Sequence, residues 1–221
     1  MSELVMETGL AKSTLYRQLS LLKRWGFVVD GNNGYAPGPM CLPLAWGFDQ
    51  SSYLVQEAHK DLEQLSRSSG ESIGLLVAAN NQAVCVDMIE SHQPLRCSFV
   101  KGRGLPLCKG ASAKALLAFM PREKQAAALR RLQQERVITS EERSELAAHL
   151  LSIQAQGYAC SDSEVDVGVW GISAPIFQQT AQAAAVITLM VPNTRISQRK
   201  QSLTDMTMQV ASRISTRLQS L

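Results

Sequence analysis

The feature that most constrains this chain is a segment near its amino end, Lys12–Arg24, which is both basic and amphipathic. It holds four basic residues and no acidic residue. Its leucines recur at i, i+4 and i+7, which places Leu15, Leu19 and Leu22 on one face of a helix. The opposite face then carries Ser13, Arg17, Ser20 and Arg24. Two interpretations fit this pattern: a surface helix with a solvated basic face, or a helix that approaches a polyanion.

The residues on either side of this segment favour the second interpretation. Upstream, Ser2–Thr8 reads as a short helix, and Gly9 supplies a permissive backbone for a tight turn. Downstream, an apolar run over 25–30 leads into Gly31-Asn32-Asn33-Gly34 and a return strand at Tyr35, which is the pattern of a hairpin. Helix, turn, basic helix and hairpin in this order predict a winged helix-turn-helix rather than an unrelated helical hairpin.

In such a module the second helix enters the major groove of DNA. We therefore expect the start of this helix to contact bases and phosphates, and its end, together with the wing, to contact the phosphate backbone. The residues predicted to bind DNA are Lys12, Ser13, Thr14, Arg17, Lys23 and Arg24, with the wing near Asn32 and Asn33 as a further backbone contact.

The rest of the sequence predicts a linker and a second domain. The breakers Pro37, Gly38, Pro39 and Pro43 place the end of a DNA-binding domain, 1–47, shortly after them. A helical pattern over 53–69 predicts a linker helix within 48–70. The remaining segment, 71–221, groups its strands and helices in a way that predicts an α+β domain with an antiparallel sheet. We expect strands at 72–79, 83–89, 95–100, 158–161, 171–177 and 184–191, and helices at 111–120, 122–134, 140–156 and 195–221.

Composition excludes several classes of protein. The 221 residues, 45% hydrophobic and 19% charged, are typical of a folded globular chain. The longest apolar run, 183–191, is about half the ~20 residues that a membrane helix needs, and no basic and apolar secretory start follows Met1. We therefore expect a cytoplasmic protein without a membrane partner. The five cysteines lack CxxC and zinc-ligand spacing, so we expect reduced thiols, no metal and no cofactor.

The sequence contains no recognisable catalytic motif. Ser112 lacks both the G-x-S-x-G and the S-x-x-K contexts of a reactive serine. An enzyme that uses Cys108, or the pair Asp162 and Glu164, is the least favoured interpretation, because no oriented base accompanies either. The histidines stand far apart and outside any acid–base motif: His59, His92 and His149.

A binding element is a better interpretation of the region around Ser112. The small residues 110–113 open a helix whose first N–H groups suit a carboxylate, although tight packing under a sheet would use the same residues. The acidic segment 162–168 is either a second wall of the site or a solvated loop. Thr188 offers a hydroxyl among apolar neighbours, which suits a partly polar ligand but also a strand.

Several motifs taken together resemble the IclR family of bacterial transcription regulators. Their order and spacing over almost the whole chain carry the resemblance. The motifs are 9–17 (GLAKSTLYR), Gly34-Tyr35 with Pro37-Gly38-Pro39, Leu105-Pro106-Leu107 followed by 113–119 (AKALLAF), 157–168 beginning with Gly157-Tyr158, and Ala174-Pro175-Ile176-Phe177.

This resemblance implies a winged helix-turn-helix, a linker helix and a GAF-like effector-binding domain, working as a homodimer or homotetramer on palindromic operator DNA. It implies a ligand-responsive regulator of a catabolic operon and not an enzyme. The implied effector is a small organic molecule such as a carboxylate, a sugar acid or an aromatic acid. By position, the implied ligand-binding residues are Leu105, Ala111, Ser112, Ser161, Asp162, Val169, Gly171, Thr188 and Met190.

The chain departs from the family pattern in ways that leave alternatives open. The resemblance implies a full helix before the one at Ser2, so either the natural protein has residues upstream of Met1 or the module is shortened. Gly171 and Met190 replace residues that are polar in some relatives, so we expect a less polar ligand or one bound through different groups. The second interpretation of the whole chain is a small-molecule-binding signalling or protein-interaction module with a vestigial DNA-binding domain.

Overall fold

The computed structural model describes residues 1–31, 34–178 and 182–220, without the side chains of residues 50 and 51. It separates into two compact units, Met1–Ser52 and Tyr53–Leu221. The wing residues Asn32 and Asn33, for which we predict DNA contacts, lie outside the described residues. The elements of the first unit are α1 (Ser2–Thr8), α2 (Lys12–Arg24), β1 (Val28–Gly31), β2 (Gly34–Pro37) and α3 (Cys41–Ser51).

The first unit places two helices in succession before a hairpin. α1 ends at Gly9, whose left-handed backbone (φ +66°) lets its N–H donate to the Val5 carbonyl at 2.9 Å. α2 begins after the extended residue Ala11 and buries Leu15. β1 then pairs with β2 in antiparallel register.

A close backbone approach connects the hairpin to the end of α2. The N–H of Gly38 donates to the Phe27 carbonyl at 2.8 Å. A Cβ at Gly38 would lie 2.1 Å from the Gly26 carbonyl oxygen, so only glycine allows this contact. This close contact therefore explains why a glycine stands at position 38, which the neighbouring residues in the sequence do not reveal.

The first unit ends later than the expected position near residue 47. α3 runs through that position. Pro43 does not interrupt α3, because it is the third helical residue, where an N–H would have no partner within the helix. The units divide between Ser52 and Tyr53, and helix α4 (Tyr53–Ser69) belongs to the second unit. α4 stops at Gly70, as predicted, in a left-handed conformation (φ +72°).

The second unit contains a six-stranded antiparallel sheet, which confirms the prediction of a mixed α and β domain with such a sheet. Its strands lie in the order β5-β4-β3-β8-β7-β6. They are β3 (Ser72–Ala79), β4 (Gln82–Ile89), β5 (Gly104–Pro106), β6 (Ala159–Asp162), β7 (Val169–Phe177) and β8 (Ala183–Pro192). The remaining helices are α5 (Ala111–Ala118), α6 (Arg122–Gln134), α7 (Ser140–Gln156), a 3₁₀ turn (Asn193–Arg195) and α8 (Lys200–Gln219). Among the described residues, no helix combines the length with the apolar character that a membrane span requires.

Strand β8 shows how the sheet distributes side chains between its two faces. Ala185, Ile187 and Leu189 pack in the cluster that includes the buried faces of α4 and α8. Val186 packs instead in the cluster that includes α5, α6 and α7. Because successive side chains of a strand point to opposite faces, Thr188 lies on the side of Val186. The sheet therefore carries α4 and α8 on one face, and α5, α6 and α7 on the other.

The segment 95–100 forms no strand in the part of the chain that the structure describes, contrary to the expectation. The edge of β4 pairs instead with β5, in a register that places Ala83 opposite Leu105. Gly102 turns the chain back in a left-handed conformation (φ +79°), with its N–H donating to the Cys85 carbonyl at 2.8 Å. The segment 95–100 is left free to line a cavity.

Candidate functional site

A cavity of about 550 Å³ lies in the second unit, on the sheet face that carries α5. Its size is within the range of small-molecule sites. The register of three neighbouring strands aligns Ser161 of β6, Gly171 of β7 and Met190 of β8 in one row across its floor. A Cβ at Gly171 would lie 3.3 Å from the Ser161 hydroxyl and 3.7 Å from Ala111 Cβ. This glycine therefore keeps the floor open.

The start of α5 forms a polar part of the wall. Ala111 and Ser112 line the cavity as the first two residues of the helix, where N–H groups have no partner within the helix. Ser112 is 5% exposed. A hydroxyl at a helix start is a good partner for an anionic ligand.

Thr188 supplies a second buried hydroxyl to the lining. Its Oγ1 lies 2.7 Å from Oγ of Ser173, which is directly opposite on β7 and fully buried. Either hydroxyl can be the donor of this bond, so in both cases Thr188 keeps hydrogen-bonding capacity for a ligand. Of the residues that the family resemblance implies for ligand binding, all except Asp162 line this one cavity.

Asp162 is not among the described residues that line the cavity. It follows Ser161 on β6, so its side chain points to the opposite side of the strand. Its carboxylate accepts from Asn193 Nδ2 at 2.8 Å and from the Ser163 hydroxyl at 3.1 Å. These two bonds lower the pKa of Asp162. The prediction of a ligand contact at this position is therefore not supported by the geometry.

Sequence reasoning missed the wall formed by residues 95–100 and 103. Phe99 enters this wall because Gly74 of β3 leaves room for it: a Cβ at Gly74 would lie 2.6 Å from the ring. Arg195 donates to the Leu95 carbonyl at 2.8 Å and thereby fixes the segment to the 3₁₀ turn. Gly74, a glycine inside strand β3, was the one signal in the sequence that another group approaches this strand closely.

The surface of α2 presents most of the predicted DNA-binding residues. Lys12, Ser13, Arg17 and Arg24 are exposed, and Thr14 is partly buried. Lys23 differs: its ammonium forms a 2.6 Å ion pair with Asp30 of β1 and lies 5.4 Å from the centre of the Tyr35 ring. The hydrogen bond to Asp30 raises the pKa of Lys23. Lys23 therefore connects α2 to the hairpin, and its charge is already paired.

The comparisons with known proteins agree with this architecture. The family described as "Bacterial transcriptional regulator IclR C-terminal" matches residues 50–216. The chain belongs to the IclR family of bacterial transcriptional regulators. It is 31% identical to the HTH-type transcriptional regulator KipR of Bacillus subtilis (strain 168) over 86% of this chain and 77% of that protein. It is 32% identical to the HTH-type transcriptional regulator Rv1719 of Mycobacterium tuberculosis over 91% and 78%, respectively.

The crystal structure of the Thermotoga maritima IclR shares the fold. It superposes with a TM-score of 0.71, covering 98% of this chain and 90% of that chain at 22% identity. Membership of the IclR family confirms the resemblance inferred from the motifs and makes the protein a transcriptional regulator rather than an enzyme.

Two side chains considered for catalysis have other surroundings in this IclR-family regulator. Cys108 is buried, and burial raises the pKa of its thiol. Glu164 bonds Lys114 Nζ at 2.5 Å and the Gly110 N–H at 3.1 Å. No group of three or more potential metal ligands occurs among the residues that the structure describes.

Proposed function

We propose that this IclR-family regulator binds operator DNA through its first unit and senses a small carboxylic acid in the cavity of its second unit. The first unit acts as a winged helix-turn-helix, the second as a GAF-like effector domain, and the protein works as a homodimer or homotetramer that controls a catabolic operon. Helix α4, which follows the first unit directly along the chain, takes the role of the linker helix.

The single observation that carries the effector proposal is the cavity at the start of α5. N–H groups without a partner within the helix and the Ser112 hydroxyl suit a carboxylate. The remaining walls are largely apolar and include Leu76, Phe99, Val169 and Met190. An acid with an apolar or aromatic body therefore fits these walls.

The DNA-binding proposal is based on the exposed face of α2. Lys12, Ser13, Thr14 and Arg17 at its start would reach bases and phosphates, and Arg24 would contact the backbone. Lys23 takes a supporting part, because its ammonium is already paired with Asp30 of the hairpin. Two such helices in a dimer would lie roughly 34 Å apart, one turn of DNA or a multiple of it.

The test begins with DNA fragments that the whole protein selects from a random library, followed by footprinting at stated salt. We expect Arg17→Ala to weaken binding of the selected fragment by about tenfold and to reduce its salt dependence, because one cationic contact is lost. A thermal-shift screen of small carboxylates should give the same shifts for this variant as for the parent. The matched control is Arg122→Ala, which removes an exposed cation from α6 of the second unit and should leave DNA binding unchanged.

Two results would contradict this division of labour. Equal loss of DNA and acid binding in Arg17→Ala would indicate misfolding rather than a lost contact. Weak, sequence-independent association of the parent protein would favour the second interpretation, in which the DNA-binding domain is vestigial.

A further inference from the structure

The start of α5 already holds a carboxylate, and it belongs to the protein itself. Glu164 accepts the Gly110 N–H at 3.1 Å through Oε2 and bonds Lys114 Nζ at 2.5 Å through Oε1. Gly110 is the residue directly before Ala111 and Ser112, and all three line the cavity. The helix start therefore carries an internal anion next to the place proposed for the anion of the effector.

Lys114 is the cation of this arrangement. Its side chain is 5% exposed, and within the described chain Glu164 is its only ion-pair partner. Lys114 balances the Glu164 carboxylate, so a second carboxylate at the same helix start would compete with Glu164 for this ammonium. Arg96 and Arg103 are further cations of the cavity lining. Two carboxylates at adjacent N–H groups also repel each other.

Glu164 also fastens one wall of the cavity. Residues 165–168 of the segment 163–168 line the cavity. Two backbone hydrogen bonds close the base of this segment: the Asn193 N–H donates to the Gly168 carbonyl (2.7 Å), and the Ser163 N–H donates to the Val169 carbonyl (2.8 Å). The ion pair of Glu164 is the charged contact that holds this segment, 163–168, to α5. Releasing Glu164 would free that side of the wall and loosen the turn in which the Gly168 N–H donates to the Ser163 hydroxyl.

We propose that Glu164 is an internal competitor of the effector: an acid that binds at the start of α5 displaces the Glu164 carboxylate from Gly110 and Lys114 and releases segment 163–168. The inference deepens, and depends on, the proposed acid site. A ligand can shift an equilibrium between two states only if it interacts differently with them. Displacement of the Glu164 carboxylate supplies such a difference between the free and the bound protein.

The test measures binding of benzoate, and of its neutral analogue benzamide, by titration calorimetry to the whole protein. Glu164→Gln removes the competing charge and keeps the shape of the side chain, so we expect it to tighten benzoate binding by at least about tenfold and to leave benzamide binding within about twofold. The control is Glu123→Gln, which makes the same chemical change at an exposed carboxylate of α6, outside the cavity lining. We expect it to change benzoate affinity by less than about threefold.

A second variant guards against loss of folding, since Glu164→Gln leaves Lys114 buried without its partner. In the double variant Lys114→Met/Glu164→Gln no unpaired charge remains, and the gain in benzoate affinity should disappear because the attracting cation is gone. Hydrogen exchange gives an independent signature. Benzoate should speed exchange of the Gly168 amide, which bonds the Ser163 hydroxyl at 3.2 Å, in the unmodified protein.

The outcomes separate this inference from the proposed function. Equal benzoate affinity in the parent and in Glu164→Gln overturns the competition and leaves the acid site standing. Weaker binding in Glu164→Gln, or slower exchange of Gly168 with benzoate, also overturns it, because Glu164 would then only shape the site. Absence of benzoate binding in both proteins counts against the acid site itself and against the inference with it.

Discussion

The hydrogen bond between Ser173 and Thr188 allows a quantitative test of how the floor of the cavity is held. The two hydroxyls lie 2.7 Å apart, and the residues are 0% and 2% exposed. Thr188→Val keeps the shape of the side chain but leaves the Ser173 hydroxyl buried without a partner. An unsatisfied buried hydroxyl costs about 1–3 kcal/mol. We therefore expect Thr188→Val to lower the free energy of unfolding by about 2 kcal/mol.

Removing the other hydroxyl of the pair should lower the free energy of unfolding by less. Ser173→Ala leaves the Thr188 hydroxyl, which borders the cavity and can bond a water there, so we expect a loss of about 1 kcal/mol or less. The double variant replaces both partners with apolar groups and should cost less than Thr188→Val alone. Since 1 kcal/mol shifts the midpoint of a domain this size by about 2–4 °C, Thr188→Val should melt about 4–8 °C lower.

Urea and thermal unfolding followed by circular dichroism would measure these differences. Thr188→Ser serves as a control, because it keeps the hydroxyl and loses only a methyl group. If the double variant were destabilised by the sum of the two single losses, the two hydroxyls would not be acting as a pair, and the reasoning would be refuted.

Two further predictions concern stability. Thr139→Ala should lower the free energy of unfolding by about 1 kcal/mol, because the Thr139 hydroxyl accepts the Glu142 N–H while the Glu142 carboxylate accepts the Thr139 N–H at the start of α7; an unchanged urea midpoint would contradict this. Burial raises the pKa of the Cys85 and Cys160 thiols from 9.0 to about 11, so the unfolded chain ionises first and stability should fall as pH rises from about 9 to 11. Cys85→Ala/Cys160→Ala should flatten that fall in urea titrations, and an equally steep fall would show that other groups cause it.

Local patterns in the sequence predicted several elements well. The helices Lys12–Arg24, Arg122–Gln134 and Ser140–Gln156 begin and end where apolar spacing, prolines and caps indicate. These signals act between residues a few positions apart, so they are readable without the fold. The family resemblance was also readable, because it depends on the order of several motifs along the chain.

The lining of the cavity could be predicted in part for the same reason. Ser161, Gly171 and Met190 were placed in the cavity by their positions in family motifs, and the sheet register does bring them into one row. Asp162 is not among the described lining residues, because successive side chains of a strand point to opposite sides. The wall formed by 95–100 was missed because a segment without regular structure has no periodicity to detect.

By itself, the sequence determined that the long helical segments are helices, the order of the two units and the family to which the chain belongs. Only the tertiary structure decided which charged side chains are already in an ion pair. Lys23 meets Asp30 across a turn, and Lys114 meets Glu164, fifty positions further along the chain. The physical reason is that an ion pair depends on distance in space, which the packing of α5 against the sheet creates and which spacing along the chain does not encode.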